Sequence, residues 1–391
     1  MSRSLRIAML THSTNPRGGV VHAMQVSEAL AALGHQVTLF APDASGKGFF
    51  RQPKVRAEAF AVPQAPAGMT DMVEQRIRDY TAFFRQRGTG DFDLFHAHDG
   101  ISGNALADLA ACGQIAGFLR TVHHLDEFAD PRLMALQARS IAAADALFTV
   151  SRHWTDDLAR RGLSATCTCT GNGVDCQRFR PGRAADDGAG LAARLGVSGG
   201  GPVFLAIGGV EARKNTLNIL LAFAEARAVL PSARLVIAGG VSLLDHHDYQ
   251  AAFKAALAAR PELSGAVHMI GAVADEDMPQ LYRMADALVF ASVKEGFGLA
   301  VLEAMASGLP VVLSAISPFT EYVPEAAALW CDPHSPSSIA GAMLTALRPE
   351  VAAHCTAAGF TVAAAHDWHR AAVAHLPVYL ASLAEREPAN A

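Results

Sequence analysis

The chain has 391 residues, too many for one ordinary core, so about two domains are expected. Hydrophobic residues make up 51% and charged residues 18%, a globular composition with material for buried cores. The formal net charge of -5 leaves no basic surplus, which argues against a nucleic-acid partner.

At the N-terminus, the apolar run in "MSRSLRIAMLTHSTN" is too short for a signal peptide and runs into polar residues instead of a cleavage site. No later stretch reaches the roughly 18 uninterrupted apolar residues of a membrane helix. The best candidate, residues 298–319, is broken by Glu303, Gly308 and two prolines. A cytoplasmic protein with reduced thiols at its six cysteines is expected.

Along the first half, apolar runs recur at "LRIAML", "QVTLF", "DLFHAH", "FLRTVH" and "ALFTVS". Continuous rather than alternating hydrophobicity predicts strands covered on both faces, as in parallel sheets. The first run feeds "THSTNPRGGVVHAM", where Gly18 and Gly19 precede an amphipathic helix. Glycines let backbone N–H groups approach an anion, and a helix start adds positive potential; a tight turn needing positive φ is the plainer alternative. Next, "MVEQRIRDYTAFF" sets Val73, Ile77, Tyr80 and Phe84 on one helical stripe. Core packing explains that stripe most economically, and the arginines around it leave weak contact with the inner membrane face as a subsidiary expectation. Asp91 and Asp93 precede a strand and so lie at its amino end, whereas ligands of open α/β sheets bind beyond the carboxyl ends. His123 stands at such a carboxyl end, where an imidazole either bonds a ligand hydroxyl or is a satisfied polar group. His124, Asp126 and Glu127 follow and read as lining of the same crevice or as a cap for the next helix. Cys167, Cys169 and Cys176 cluster, but Cys-x-Cys without a second pair fits zinc poorly.

Residues 173–202, rich in Gly, Asp and Arg, separate this array from a second one carrying "VFLAIGG", "RLVIAGG", "VHMIG", "ALVFAS" and "PVVLSA". The expected fold is α/β, with two doubly wound Rossmann-like domains and mainly parallel sheets facing across a cleft. An N-terminal domain would span residues 1–181, completed by a C-terminal helix at 370–391, and a second domain would span 182–369.

In the second array, "IGGVEARKNT" places Gly208 and Gly209 after a strand, with Arg213 and Lys214 at the next helix start. Two adjacent cations there suit a diphosphate; solvated cations on a tight turn are the alternative. Neither glycine turn spells G-x-G-x-x-G, and no Walker motif is present. Asp275 and Asp277 read as an N-cap and an acidic first turn. After "ALVFAS", residues 294–298 form a loop and a helix begins near Leu299. Glu295 lies in that loop and Glu303 about one turn into an otherwise apolar helix, where an unpaired carboxylate is costly unless it meets donors. A polyol ligand would supply hydroxyls to both acids; a dipole-favoured loop acid and a surface glutamate are the alternative.

The stretch "EGFGLAVLEAMASGLPVV", with its E-x7-E spacing, resembles the retaining GT-B glycosyltransferases of the family-4 type, the glycosyl transferases group 1. "GNGVDCQRFRP", "DLFHAHD", "RTVH" and "ADALVFAS" carry the resemblance over nearly the whole chain, and "DWHRAAVAHLPVYL" resembles the family's closing helix. The resemblance implies a nucleotide-diphosphate-sugar donor held mainly by the second domain and a small-molecule, glycan or lipid-linked acceptor held mainly by the first. It implies transfer with retention, no metal and no cofactor, with UDP-sugars slightly favoured over GDP-sugars. Residue by residue, Glu295 would hold donor-sugar hydroxyls near the amides of Phe297, Gly298 and Leu299, and Glu303 would hold the ribose. Lys214, with Arg213 beside it, would sit on the diphosphate together with the glycine turn of Gly18 and Gly19. His123 would stand beside the reacting sugar. One departure is that the family usually has arginine where Gly209 stands. A sugar-nucleotide epimerase, a phosphorylase and a non-catalytic nucleotide-sugar-binding protein remain alternatives on the same architecture.

Overall fold

The computed structural model describes residues 3–164, 167–182, 188–197, 199–240 and 247–386. The chain forms two compact units: Met1–Asn172 with Trp368–Ala391, and Gly173–Asp367.

The first unit is built on seven parallel strands: β1 Arg6–Leu10, β2 Gln36–Asp43, β3 Arg56–Ala61, β4 Leu94–Ala97, β5 Leu119–Val122, β6 Ala146–Thr149 and β7 Thr168–Cys169. Their order is β3-β2-β1-β4-β5-β6-β7. The five apolar runs supply β1, β2, β4, β5 and β6, whose residues are almost all buried. The edge strands β3 and β7 escape sequence reading because "RAEAFA" is half solvent-facing and carries no apolar run, and β7 has only 2 residues. In the helix Met69–Arg87, Ile77, Tyr80 and Phe84 are buried in the core and Val73 packs at its margin. The Tyr80 hydroxyl donates to the carbonyls of Thr11 at 2.6 Å and Phe40 at 2.9 Å, pinning the helix to the exit of β1 and to the middle of β2. Two of its arginines are spoken for, Arg76 by Asp79 at 2.6 Å and Arg87 by Glu58 at 2.9 Å. The closing helix Trp368–Arg386 belongs to this unit and buries Ala371, Ala372, His375 and Tyr379. Residues 387–391 of the expected closing helix lie outside the described residues.

The second unit has six parallel strands: β8 Val203–Ile207, β9 Arg234–Ala238, β10 Val267–Gly271, β11 Ala287–Phe290, β12 Val311–Ser314 and β13 Leu329–Cys331, in the order β10-β9-β8-β11-β12-β13. All five expected runs are strands; the 3-residue edge strand β13 was not foreseen. Residues 173–181, grouped with the first domain on sequence, lie in the second unit. Their local contacts explain why: the Val174 amide donates to the His366 carbonyl, and Arg178 pairs with Asp275 at 2.8 Å. Within the linking segment, residues 183–187 and 198 lie outside the described residues.

In each sheet the strand order reverses once, beside β1 and β4 in the first unit and beside β8 and β11 in the second. The crevice beyond the carboxyl ends of those strands is where an open α/β sheet binds ligands. Among the described residues, no helix is long and apolar enough to cross a membrane.

Candidate active site

At the second unit's switch point, the turn after β8 begins with Gly208 at φ 128° and Gly209 at φ 75°. A Cβ on Gly208 would come within 2.4 Å of Lys214 Cε, so the turn wraps the lysine stem closely. Asn215, itself at φ 60°, donates its side-chain amide to the carbonyls of Ala291 at 2.9 Å and Pro333 at 2.6 Å. The Val293 amide donates to the Arg213 carbonyl at 3.0 Å. These bonds hold the Arg213–Lys214 pair against the loop that leaves β11.

The result is one ionic cluster. Lys214 Nζ donates to Glu295 Oε1 at 2.7 Å, and Arg213 Nη1 lies 3.0 Å from Glu295 Oε2. Lys214 also sits over the Phe290 ring, 4.5 Å from its centroid. Glu211, which sequence reading passed over, is buried 3.7 Å from Arg213. Burial alone would raise the Glu295 carboxyl, but Lys214 and Arg213 outweigh it and hold the group below the usual carboxylate range. Burial pushes the Lys214 ammonium down, with Glu295 opposing.

The helix Leu299–Ala306 starts where expected, and Gly298 precedes it at φ 99°. A Cβ there would stand 2.7 Å from the Phe319 ring, so glycine is needed both for conformation and for space. The amides of Leu299 and Ala300 open that helix with no carbonyl one turn before them inside it, while the Val301 amide donates to the Gly298 carbonyl at 3.0 Å. Phe297 contributes backbone only: its ring stacks on Tyr322 at 4.4 Å, and the Tyr322 hydroxyl donates to its carbonyl at 3.0 Å. Glu303 meets the donor that its apolar setting demands, since the Tyr282 hydroxyl donates to Oε2 at 2.6 Å. Burial nevertheless raises the Glu303 carboxyl, with Tyr282 and Arg178 as partial offsets. Tyr282 had no sequence signal beyond its place in an apolar helix. Asp275 and Asp277 lie in an acidic first turn as expected, with Asp277 at the N-cap position of the helix Met278–Arg283; the Asp277 side chain makes no cap bond, and the two acids pair with Arg178 at 2.8 Å and Arg194 at 2.6 Å. Asp93 accepts from Arg6 at the amino end of β4, away from the switch point.

In the first unit, Gly18 and Gly19 open the helix Gly18–Ala32 directly after β1's loop. A Cβ on Gly19 would stand 3.1 Å from His123 Cδ2, so the glycine turn and the β5 histidine are neighbours. His123 Nε2 is 3.3 Å from His98 Nδ1, and its ring meets that of His22 edge-on at 4.8 Å. His96, bonded to Tyr379 at 2.7 Å and Thr121 at 2.8 Å, and His375 complete a group of five histidines. Burial is the first cause that holds all five rings below the ordinary imidazole range, with His22 lowered to about 4 and His375 to about 3. Sequence reading singled out only His123 of the five. His124 pairs with Asp126 at 3.3 Å, and the following helix is capped by Asp130 rather than by Asp126 or Glu127.

Two doubly wound parallel-sheet units, each with its candidate residues at the switch point, are the architecture of the GT-B fold. Residues 191–359 match the family described as glycosyl transferases group 1, and residues 16–178 match glycosyltransferase family 4. A D-inositol 3-phosphate glycosyltransferase of Acidothermus cellulolyticus is 27% identical over 422 residues, covering 98% of this chain and 92% of the relative. Among solved structures, sucrose-phosphate synthase from Thermosynechococcus elongatus superposes with a TM-score of 0.78 at 23% identity, covering 98% of this chain and 100% of the other. HepE from Anabaena, in complex with UDP and glucose, gives 0.77 at 18% identity, covering 97% and 100%. The chain belongs to the GT4-type glycosyltransferases of the GT-B fold.

Proposed function

We propose that the protein moves a sugar from a nucleotide-diphosphate-sugar donor to a hydroxyl acceptor, with retention at the anomeric carbon and without a metal or other cofactor. The observation that carries this reading is the Lys214–Glu295–Arg213 cluster at the second unit's switch point. An arriving diphosphate has two preorganised cations and the open amides of a helix start to meet it. The Glu295 carboxylate, relieved of part of its ionic partnership, then accepts from hydroxyls of the donor sugar. Glu303 takes the ribose, within reach of Tyr282. HepE, described with UDP and glucose, supports a UDP-sugar as the first donor to try.

As the bond to the anomeric carbon breaks, negative charge builds on the leaving diphosphate, where Lys214, Arg213 and the amides stabilise it. No carboxylate is assigned as a nucleophile, so the acceptor attacks from the leaving-group side and the departing phosphate oxygen takes its proton. His123 lies against Gly19 in the first unit and is the imidazole assigned to the reacting sugar.

Thermal unfolding with UDP, GDP and ADP, and then with their sugars, tests the donor assignment, because a ligand bound only to the folded state raises stability by about 2.7 kcal/mol at 100 times its Kd. A shift with one nucleotide that Lys214→Ala abolishes, while the corresponding nucleoside binds as before, is the expected result. Equal losses for nucleotide and nucleoside would move the diphosphate elsewhere. Product analysis by NMR reads retention, and unchanged turnover in EDTA reads metal independence. Isomerised donor formed without an acceptor would instead identify an epimerase.

A further inference from the structure

We propose that His22, His98 and His123 form a three-nitrogen binding site for a divalent transition-metal ion of the zinc or cobalt class. One ring nitrogen of each histidine lies within 4.8 Å of one on each of the other two. The three arrive from separate elements: His98 follows β4, His123 follows β5, and His22 lies about one turn into the helix Gly18–Ala32.

Their hydrogen bonds set which nitrogen each ring offers. His22 Nδ1 faces the Asn172 side-chain oxygen, which only accepts, so Nδ1 carries the proton and Nε2 the lone pair. That Nε2 is buried with no partner, an uncompensated polar atom in a native interior. His98 Nε2 faces the Met9 thioether, again an acceptor, which leaves the His98 Nδ1 lone pair directed at His123. A metal-bound histidine typically anchors its other ring nitrogen on such an acceptor, which fixes tautomer and orientation. His22 has an amide oxygen in that place, and His98 the weaker acceptor of a thioether.

The spacing suits a small tetrahedral ion. Metal–nitrogen bonds of about 2.0–2.1 Å set donor nitrogens about 3.3 Å apart. His98 Nδ1 and His123 Nε2 are already 3.3 Å apart. Side-chain rotations that close the wider spacings by up to about 1.5 Å complete the set. Without metal, His123 donates its Nε2 proton to His98. On binding, that proton shifts to Nδ1 of the same neutral ring, so all three lone pairs are free and no proton need leave. Burial keeps the rings neutral, the form that ligates. His123 is partly exposed and gives an entry path, and three ligands leave a fourth position for water.

Occupancy would also take His123 away from the reacting sugar and inhibit transfer. That consequence rests on the function proposed above, whereas metal binding does not.

The test uses the full chain, stripped of metal and titrated with cobalt(II). About one ion per chain, with visible bands of four-coordinate nitrogen ligation and no thiolate charge-transfer band, is the expected result. His22→Gln and His98→Gln should each abolish uptake, and Asn172→Ala, which keeps all three ligands, should weaken it by about 10–100-fold. X-ray absorption of the zinc form of the unaltered protein should show only imidazole and water around the ion, a readout that survives if a variant fails to fold. No uptake, sulfur in the coordination shell, or unchanged binding in both histidine variants would overturn the proposal. Uptake without inhibition of transfer would leave the site standing and remove His123 from the reacting centre.

Discussion

Glu295 is buried between two cations, and its neutral isostere separates charge from shape. Glu295→Gln keeps the side-chain volume but leaves Lys214 and Arg213 without their acid. Transfer is expected to fall by about 10²–10³-fold if hydroxyl orientation depends on the carboxylate, while circular dichroism stays native. Near-normal turnover would remove Glu295 from the reaction. Glu303 calls for a pH measurement. Its folded-state carboxyl is raised, so the stability linked to its proton is fully present below the ordinary glutamate range and is lost as pH rises through the raised value. A ribose that donates to this group prefers the ionised form, so nucleotide affinity should drop as the solution is acidified through that same window. Calorimetric titration across it should show the drop in the native protein and a flat profile in Glu303→Gln. At this scale the sequence was readable wherever a residue's chemistry conflicted with its surroundings, as for an acid in an apolar helix. The partners stayed hidden: Tyr282 lies 21 positions away from Glu303 and Glu211 inside a turn, and only the folded chain brings them to their acids and cations.

The elements that position these groups were legible for a simple reason. Buried parallel strands are continuous apolar runs, and β8 and β11 announce themselves together with the loops they feed. Edge strands that give the core only a residue or so leave no such trace, as β3, β7 and β13 show by being short or half-exposed. The turn after β8 adds something that the family pattern obscures. Gly209 sits at φ 75° with the Gly240 carbonyl 2.9 Å from where a Cβ would be. The arginine usual at this place is therefore strained here both in backbone and in space. Gly209→Arg should destabilise the protein by roughly 1–3 kcal/mol in urea unfolding instead of strengthening the diphosphate site. Tighter nucleotide binding at unchanged stability would show that the turn relaxes to take it. In the function proposed above, the charge that the missing side chain would bring falls to Arg213, which already touches Glu295.

At the scale of the whole molecule, the division of the chain was half legible. Two βα arrays are plain in the pattern of apolar runs, but the border was drawn by composition, and composition cannot see that Val174 bonds to His366 and Arg178 to Asp275. The first unit is discontinuous in sequence, and its last element contributes Tyr379 and His375 to the interior. Ending the chain after Asp367 should therefore lower the first unit's unfolding temperature, with increased binding of a hydrophobic dye, while the nucleotide-induced thermal shift assigned to the second unit persists. Loss of that shift as well would mean that the two units do not fold independently. The same arrangement dictates an order of events at the ribosome. All the strands among the described residues are made before the segment that covers His96 has emerged, so the nascent first unit must wait, with the His96 side of its sheet uncovered, while residues 173–367 of the second unit are synthesised.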